Sequence, residues 1–187
     1  MGSRSKNSLV WVDCEMTGLD PETDSILQIS CFVTDYQLEL LESNGWGAII
    51  HCSKKKLDAM GDWCKETHAS TGLIEAALAS TMTPEQAASG LLEYVKKYIP
   101  EERTALLAGN SVHADKAFLS KRPYNKVLDH LHYRIFDVSS IKEAVRRWAS
   151  DDTLHKAPRK SGSHEARQDI LESIQEAKFY KDKFFDA

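Results

Sequence analysis

The chain has 187 residues, 42% hydrophobic and 28% charged, with 24 Lys plus Arg against 28 Asp plus Glu, a net charge of −4 and a pI near 6.0. A chain this long buries about 70% of its unfolded surface, which excludes wholesale disorder; the acidic balance excludes a protein that grips long nucleic acid mainly by neutralising phosphates, and leaves short or small anionic substrates open. No run approaches the roughly 18 apolar residues of a membrane span and the first seven residues carry no apolar secretory stretch, so a soluble intracellular protein is expected, mitochondrial or cytoplasmic.

In chain order, residues 1–7 are expected to be a disordered tail or an expression remnant, with one domain over 8–187. Leu9-Val10-Trp11-Val12 leads to Asp13-Cys14-Glu15 and then to the turn-like Thr17-Gly18-Leu19-Asp20-Pro21, which predicts a strand feeding a loop. Residues 26–35 and 45–51 predict two more strands, joined through a polar connection at Tyr36 and Gln37. Three consecutive strands suggest an antiparallel meander.

The period then changes. Leu57, Met60 and Trp63 recur at helical spacing, and Thr83-Pro84-Glu85-Gln86 offers an N-cap, a first-turn proline and a capping-box Gln to a helix that stops at Pro100. Residues 104–108 predict a short buried strand, 114–121 a helix broken by Arg122-Pro123, and 134–138 the last strand, after which Ser139 or Ser140 caps a helix. Residues 150–163 are polar and predict a loop; from His164 onward Ile170, Leu171, Ile174 and Ala177 restore helical spacing. A meander followed by alternating helices and strands predicts one α/β domain, a mixed sheet flanked by helices. Cys14, Cys31, Cys52 and Cys64 form no C-x-x-C pair and predict free thiols of a reducing compartment.

Asp13 and Glu15 stand two apart on a strand and therefore project from one face. A solvated edge accounts for D-x-E as readily as a site does, but Leu9–Val12 is too apolar for exposure, and strand ends are where α/β sheets build their sites. Asp115 follows a strand and Gly109-Asn110-Ser111; a helix-start acid favoured by the macrodipole explains it equally well. Asp169 comes five residues after His164, about 140° around a helix, so the two share no stripe: Asp169 would face the sheet, and His164 would lean in from the loop or remain exposed.

Together, Asp13-x-Glu15, Asp115 and His164-x-x-x-x-Asp169 resemble the three motifs of the exonucleases built on four acids and a histidine, the DEDDh class of the ribonuclease H-like superfamily. Val12-Asp13-Cys14-Glu15-Met16-Thr17-Gly18-Leu19, Trp63-x-x-x-Thr67-His68-x-x-x-Gly72-Leu73, Gly109-Asn110-Ser111-x-x-x-Asp115, His132-Tyr133-Arg134-x-x-Asp137-Val138-Ser139 and Glu172-Ser173-Ile174 are similar to the oligoribonuclease family across most of the chain. Gln168 departs from it where many relatives carry an acid. The resemblance implies a ribonuclease H-like mixed sheet and 3'-to-5' hydrolysis of short RNA, dinucleotides above all, to 5'-mononucleotides. It implies Asp13, Glu15, Asp115 and Asp169 as ligands of two divalent cations, Mg²⁺ or Mn²⁺, and His164 as the general base. It further implies Leu19 and Trp63 against the bases, His68, Ser111, Arg134 and Ser139 about the 5'-phosphate, and Tyr133 donated across a homodimer. An exonuclease on longer RNA or DNA, or a non-catalytic binder on the same fold, is the alternative.

Overall fold

The computed structural model describes residues 7–158, 162 and 165–185. β1 (Leu9–Met16), β2 (Ile26–Thr34) and β3 (Trp46–Ile49) form the expected antiparallel meander. Three helices follow, α1 (Lys54–Asp58), α2 (Asp62–Ser70) and α3 (Leu73–Ala79), and then the long α4 (Pro84–Tyr98). β4 (Leu106–Gly109), α5 (His113–Leu119), α6 (Asn125–His130), β5 (His132–Asp137), α7 (Val138–Trp148), α8 (Asp151–Lys156) and α9 (Ala166–Phe184) complete the chain. The sheet runs β3-β2-β1-β4-β5, with β4 and β5 added parallel to β1, so it is mixed.

The pleat of β1 divides the core. Val10, Val12 and Cys14 point to the layer of α4, α5 and α6, where Leu91, Val95, Phe118 and Val127 are buried. Leu9 and Trp11 point to the opposite layer, against Ile170, Ile174, Ala177 and Tyr180 of α9 and Val145 of α7. Each buried aliphatic side chain contributes about 1.5–3 kcal/mol. The Trp11 indole N–H, fully buried, donates to Thr34 Oγ1 at 3.0 Å, so the largest side chain of this layer leaves no polar atom unsatisfied. A third cluster, Leu27, Cys52, Leu57, Met60, Leu73 and Ala77, seats α1–α3 beside the meander.

α4 begins as expected: Gln86 N–H donates to Thr83 Oγ1 at 3.2 Å and Thr83 N–H to Gln86 Oε1 at 2.9 Å, with Pro84 in the first turn. Three expectations need correction. α7 starts one residue before the serines and is capped by Asp137, whose Oδ1 accepts from Ser139 N–H at 2.9 Å, because β5 runs straight into the helix and its last carboxylate reaches the free amide. Part of the stretch predicted as a loop over 150–163 is the helix α8, because Leu154 packs on the α9 layer while Thr153 is buried. The third strand is shorter than expected, four residues rather than seven, because beyond it the chain leaves β2: Ile50 N–H still donates to Leu27 C=O, but His51 N–H donates to Met82 C=O before α4. All four cysteines are free, as expected. No helix among the described residues is long and apolar enough to cross a membrane.

Candidate active site

The parity of β1 decides what meets at its end. Asp13 and Glu15 continue the odd face that carries Leu9 and Trp11, and that face looks at α9. Asp169 lies in the first turn of α9, so the helix brings a third carboxylate to the two on the strand. One oxygen from each of Asp13, Glu15 and Asp169 lies within 4.8 Å of the others. Asp115, in the first turn of α5, reaches the same strand end from the other layer: its Oδ1 accepts the Cys14 backbone N–H at 2.9 Å, and it is buried. Pairing with β2 places Asp13 opposite Ser30 and Glu15 opposite Gln28, and the ladder slips immediately afterwards, between Glu15 and Met16, where the strand turns into the loop.

Crowded carboxylates resist ionisation. Burial pushes the Glu15 carboxyl from 4.5 up to about 7, and the charges of Asp169 and Asp115 push it the same way. Burial likewise raises Asp115 from 3.8 to about 7, against the opposing effect of the Cys14 N–H bond. Such a set is charge-stable at neutral pH only with positive charge among its members. The donors are all oxygens, which fits hard divalent cations and not the sulfur and nitrogen sets that zinc prefers.

The predicted substrate residues separate into two kinds. Leu19 is 80% exposed, Trp63 64% and Tyr133 71%, so none of them is a core residue. Leu19 stands on a locked loop: Asp24 accepts from Thr17 Oγ1 at 2.7 Å and from Asp20 N–H at 3.1 Å, and a Cβ on Gly18 would collide with the Asp24 carboxylate. Tyr133 stacks on His132 with ring centres 4.5 Å apart, and the Arg134 guanidinium lies 5.3 Å from its ring centre. Ser111 and Ser139 are brought together from distant segments, their hydroxyls 3.2 Å apart.

His68 sits beside the end of β1. It is 2% exposed, its Nε2–H donates to Met16 C=O at 2.8 Å, and Nδ1 faces Glu15 Oε2 at 3.8 Å. One ring nitrogen is thus held by the backbone at the strand end and the other faces an acid of the cluster. His164 lies outside the described residues.

Sequence reasoning gave Asp137 no role. Its Oδ1 also accepts from Ser111 N–H at 3.0 Å, so one carboxylate orients both serines. An acid at a strand end before Ser-Ser is an N-cap pattern, and that signal was legible.

A mixed sheet with four carboxylates gathered where its first strand meets two helix starts defines a nuclease-type site of the ribonuclease H-like kind. A family model described as Exonuclease (RNase_T) matches residues 10–177. Over 184 residues the chain is 46% identical to the mouse protein named "Oligoribonuclease, mitochondrial", covering 98% of this chain and 76% of that one. It is 45% identical over 179 residues to the "Probable oligoribonuclease" of Schizosaccharomyces pombe (96% and 69%) and 40% identical over 182 residues to the oligoribonuclease of Chromobacterium violaceum (97% and 98%). Among solved structures, the E. coli ExoI–ssDNA complex matches with a TM-score of 0.66 at 14% identity, over 96% of this chain and 41% of that one, and exonuclease I of Methylocaldum szegediense with 0.65 at 14% (95% and 41%). This chain spans about two fifths of those larger proteins, and the likeness shows the fold. The chain belongs to the exonuclease family and, within it, to the oligoribonucleases, 3'-to-5' exoribonucleases.

Proposed function

We propose that the enzyme's preferred substrates are very short RNAs, above all 5'-phosphorylated dinucleotides, which it converts to 5'-mononucleotides. Asp13, Glu15, Asp115 and Asp169 would hold two divalent cations, Mg²⁺ or Mn²⁺. The observation that carries this is the convergence of three carboxylate oxygens within 4.8 Å at a strand end, beside a fourth buried acid. When bound, the cations supply an activated water and charge stabilisation for the departing 3'-oxygen.

The chain's own groups do the rest. His164, with a reference pKa near 6.5, is the base that takes the proton from the attacking water. Leu19 and Trp63 lie against the two bases, which gives their exposed apolar surface an occupant. The Ser111 and Ser139 hydroxyls and the Arg134 guanidinium hold the 5'-phosphate, the guanidinium through charge-assisted bonds. A phosphate held at that end leaves room for two nucleotides and bars a longer chain. Tyr133 crosses a homodimer interface to stack on a base in the neighbouring subunit, in keeping with its exposure. His68 belongs to the same phosphate end and braces Glu15 through Nδ1, 3.8 Å from Oε2. The catalytic domain spans 8–187, in keeping with a family match that starts one residue after Leu9. A mitochondrial or cytoplasmic setting accords with mitochondrial and bacterial relatives.

A length series of 5'-labelled RNAs with Mg²⁺ or Mn²⁺ tests the reading. The dinucleotide is expected to turn over fastest, and Arg134→Ala to erase its advantage over the dinucleotide lacking the 5'-phosphate. Equal rates at all lengths would replace this reading with a general exonuclease; binding without hydrolysis would leave a non-catalytic protein.

A further inference from the structure

Among the described residues the mechanism leaves one fully buried carboxylate without a task. Glu176 lies on α9 seven residues after Asp169, about two turns further along the same face, and is only 1% exposed. Its Oε1 accepts from the Tyr180 hydroxyl at 2.9 Å and lies 3.2 Å from Lys142 Nζ on α7. Its Oε2 accepts from Asn110 Nδ2 at 3.2 Å. Around it α9 is apolar, with Ile170, Ile174 and Ala177 in the core. Burying a carboxylate in such a layer is costly, and a well-packed apolar replacement for a buried ion pair is often neutral or stabilising. Stability alone is therefore a poor reason for its presence.

Its partners point to a reason. Asn110 is the middle of the tight turn that ends β4. One side of that turn is pinned by packing, since a Cβ on Gly109 would meet Val12 C=O at 3.0 Å and Val112 Cγ2 at 3.1 Å. On the other side Ser111 takes φ +49, a left-handed backbone rare for a residue with a side chain. Its N–H is shared between Asp137 Oδ1 and Ser139 Oγ, both at 3.0 Å. Between these anchors the Asn110 side chain has Glu176 as its hydrogen-bonding partner among the described residues, and its buried Oδ1 has none. The turn that presents Ser111 is thus tied by one carboxylate to the helix that carries Asp169, while Lys142 ties the same carboxylate to the helix that carries Ser139.

We infer that Glu176 is a positioning residue for the phosphate end of the site, holding Asn110 so that Ser111 and Ser139 stand in register with the acid cluster. The inference rests on the proposed role of Ser111 and Ser139 at the 5'-phosphate. It predicts an effect confined to substrates that carry that phosphate, because the anchored turn contributes no acid to the cluster.

The test measures kcat and KM for a dinucleotide with and without its 5'-phosphate in Glu176→Leu, Glu176→Gln, Asn110→Ala and Ser111→Ala. Glu176→Leu is expected to raise KM for the phosphorylated dinucleotide about tenfold, the scale of one lost hydrogen bond to a charged group, with kcat and the unphosphorylated substrate near wild type. Glu176→Gln keeps an acceptor for Asn110 and should restore KM. Asn110→Ala should repeat the Leu effect, and the double variant should be no worse than either single one, since both remove the same bond. If Glu176→Leu does not fold, Asn110→Ala decides alone. Equal loss on both dinucleotides would overturn the inference in favour of a general structural role. If Ser111→Ala loses the phosphate preference while Asn110→Ala and Glu176→Leu keep it, the inference falls and the phosphate reading stands. If Ser111→Ala keeps the preference, both fall.

Discussion

The floor of the site and its rim are built on opposite principles. The floor, Asp13, Glu15, Asp115 and Asp169, is polar and at least half-buried, and its members are set by a strand register and by helix starts packed on the core. The rim, Leu19, Trp63, Tyr133 and Arg134, is largely apolar or aromatic and stands in solvent. Ordinary surfaces invert this arrangement. Charge drawn inward calls for counter-charge, and apolar surface turned outward is open to a partner, so on the proposed reading each region is completed by a different ligand. Variants at the floor should therefore destroy chemistry without loss of fold, and variants at the rim should weaken binding.

The largest effect should come from the floor. Asp13→Asn or Asp169→Asn removes a ligand charge while emptying no core volume. Hydrolysis is expected to drop by at least about 10³-fold, the several kcal/mol that cations contribute to such transition states. Thermal unfolding should stay near wild type. Activity lost only in proportion to folded protein would make these acids structural and dissolve the contrast.

Next comes the base. His164→Ala should lower turnover by about 10²–10⁴, with dinucleotide binding nearly unchanged and the low-pH limb of the rate profile gone. A mutant that keeps that limb would show that another group takes the proton.

The rim should respond more mildly. Tyr133→Ala removes a stacking surface worth about 1–3 kcal/mol per base, so a rise in KM of roughly ten- to a hundredfold is expected. Mixing Tyr133→Ala with Asp115→Asn, with subunit exchange verified, should recover activity, because a mixed dimer holds one site with both an intact acid cluster and an intact donated tyrosine. No recovery would place Tyr133 in its own subunit's site, or outside it.

The remaining effect is on stability and not on rate, a shift with pH. Glu15 and Asp115 titrate near 7 in the folded chain against 4.5 and 3.8 for the free groups. The fold therefore retains protons that the unfolded chain releases. Their penalty is absent below pH 4, grows between about 4 and 7 and is complete above 7. In chelator, Tm should fall as pH rises from 5 to 8, and Mg²⁺ should raise Tm more at pH 8 than at pH 5. A metal-induced shift indifferent to pH would separate the cations from these two carboxylates.

Much of the floor was legible because strand periodicity is strict. Alternation alone put Asp13 and Glu15 on one face, and the apolar run before them made that face buried. The capping box of α4 was equally plain, since both of its bonds are local. The cap of α7 was misplaced for a related reason: Ser139 and Ser140 are good caps in isolation, but Asp137 at the end of β5 reaches the free amide first. α8 was missed because its six residues look polar, and only the packing of Leu154 against the core layer shared by α7 and α9 makes the turn worth forming.

By itself the sequence determined whatever depends on neighbours along the chain: the order of elements, the paired acids, the capping box, and the spaced motifs that resemble an exonuclease family. Tertiary structure alone decided what depends on contacts across long gaps. It turned the odd face of β1 toward α9, so that Asp169 meets residues about 155 positions earlier in the chain. It buried His68 against Glu15, and it joined Asn110 to Glu176 across 66 residues. Periodicity and capping are short-range properties of the backbone and can be read from local sequence. Which faces meet is settled only when the whole core packs.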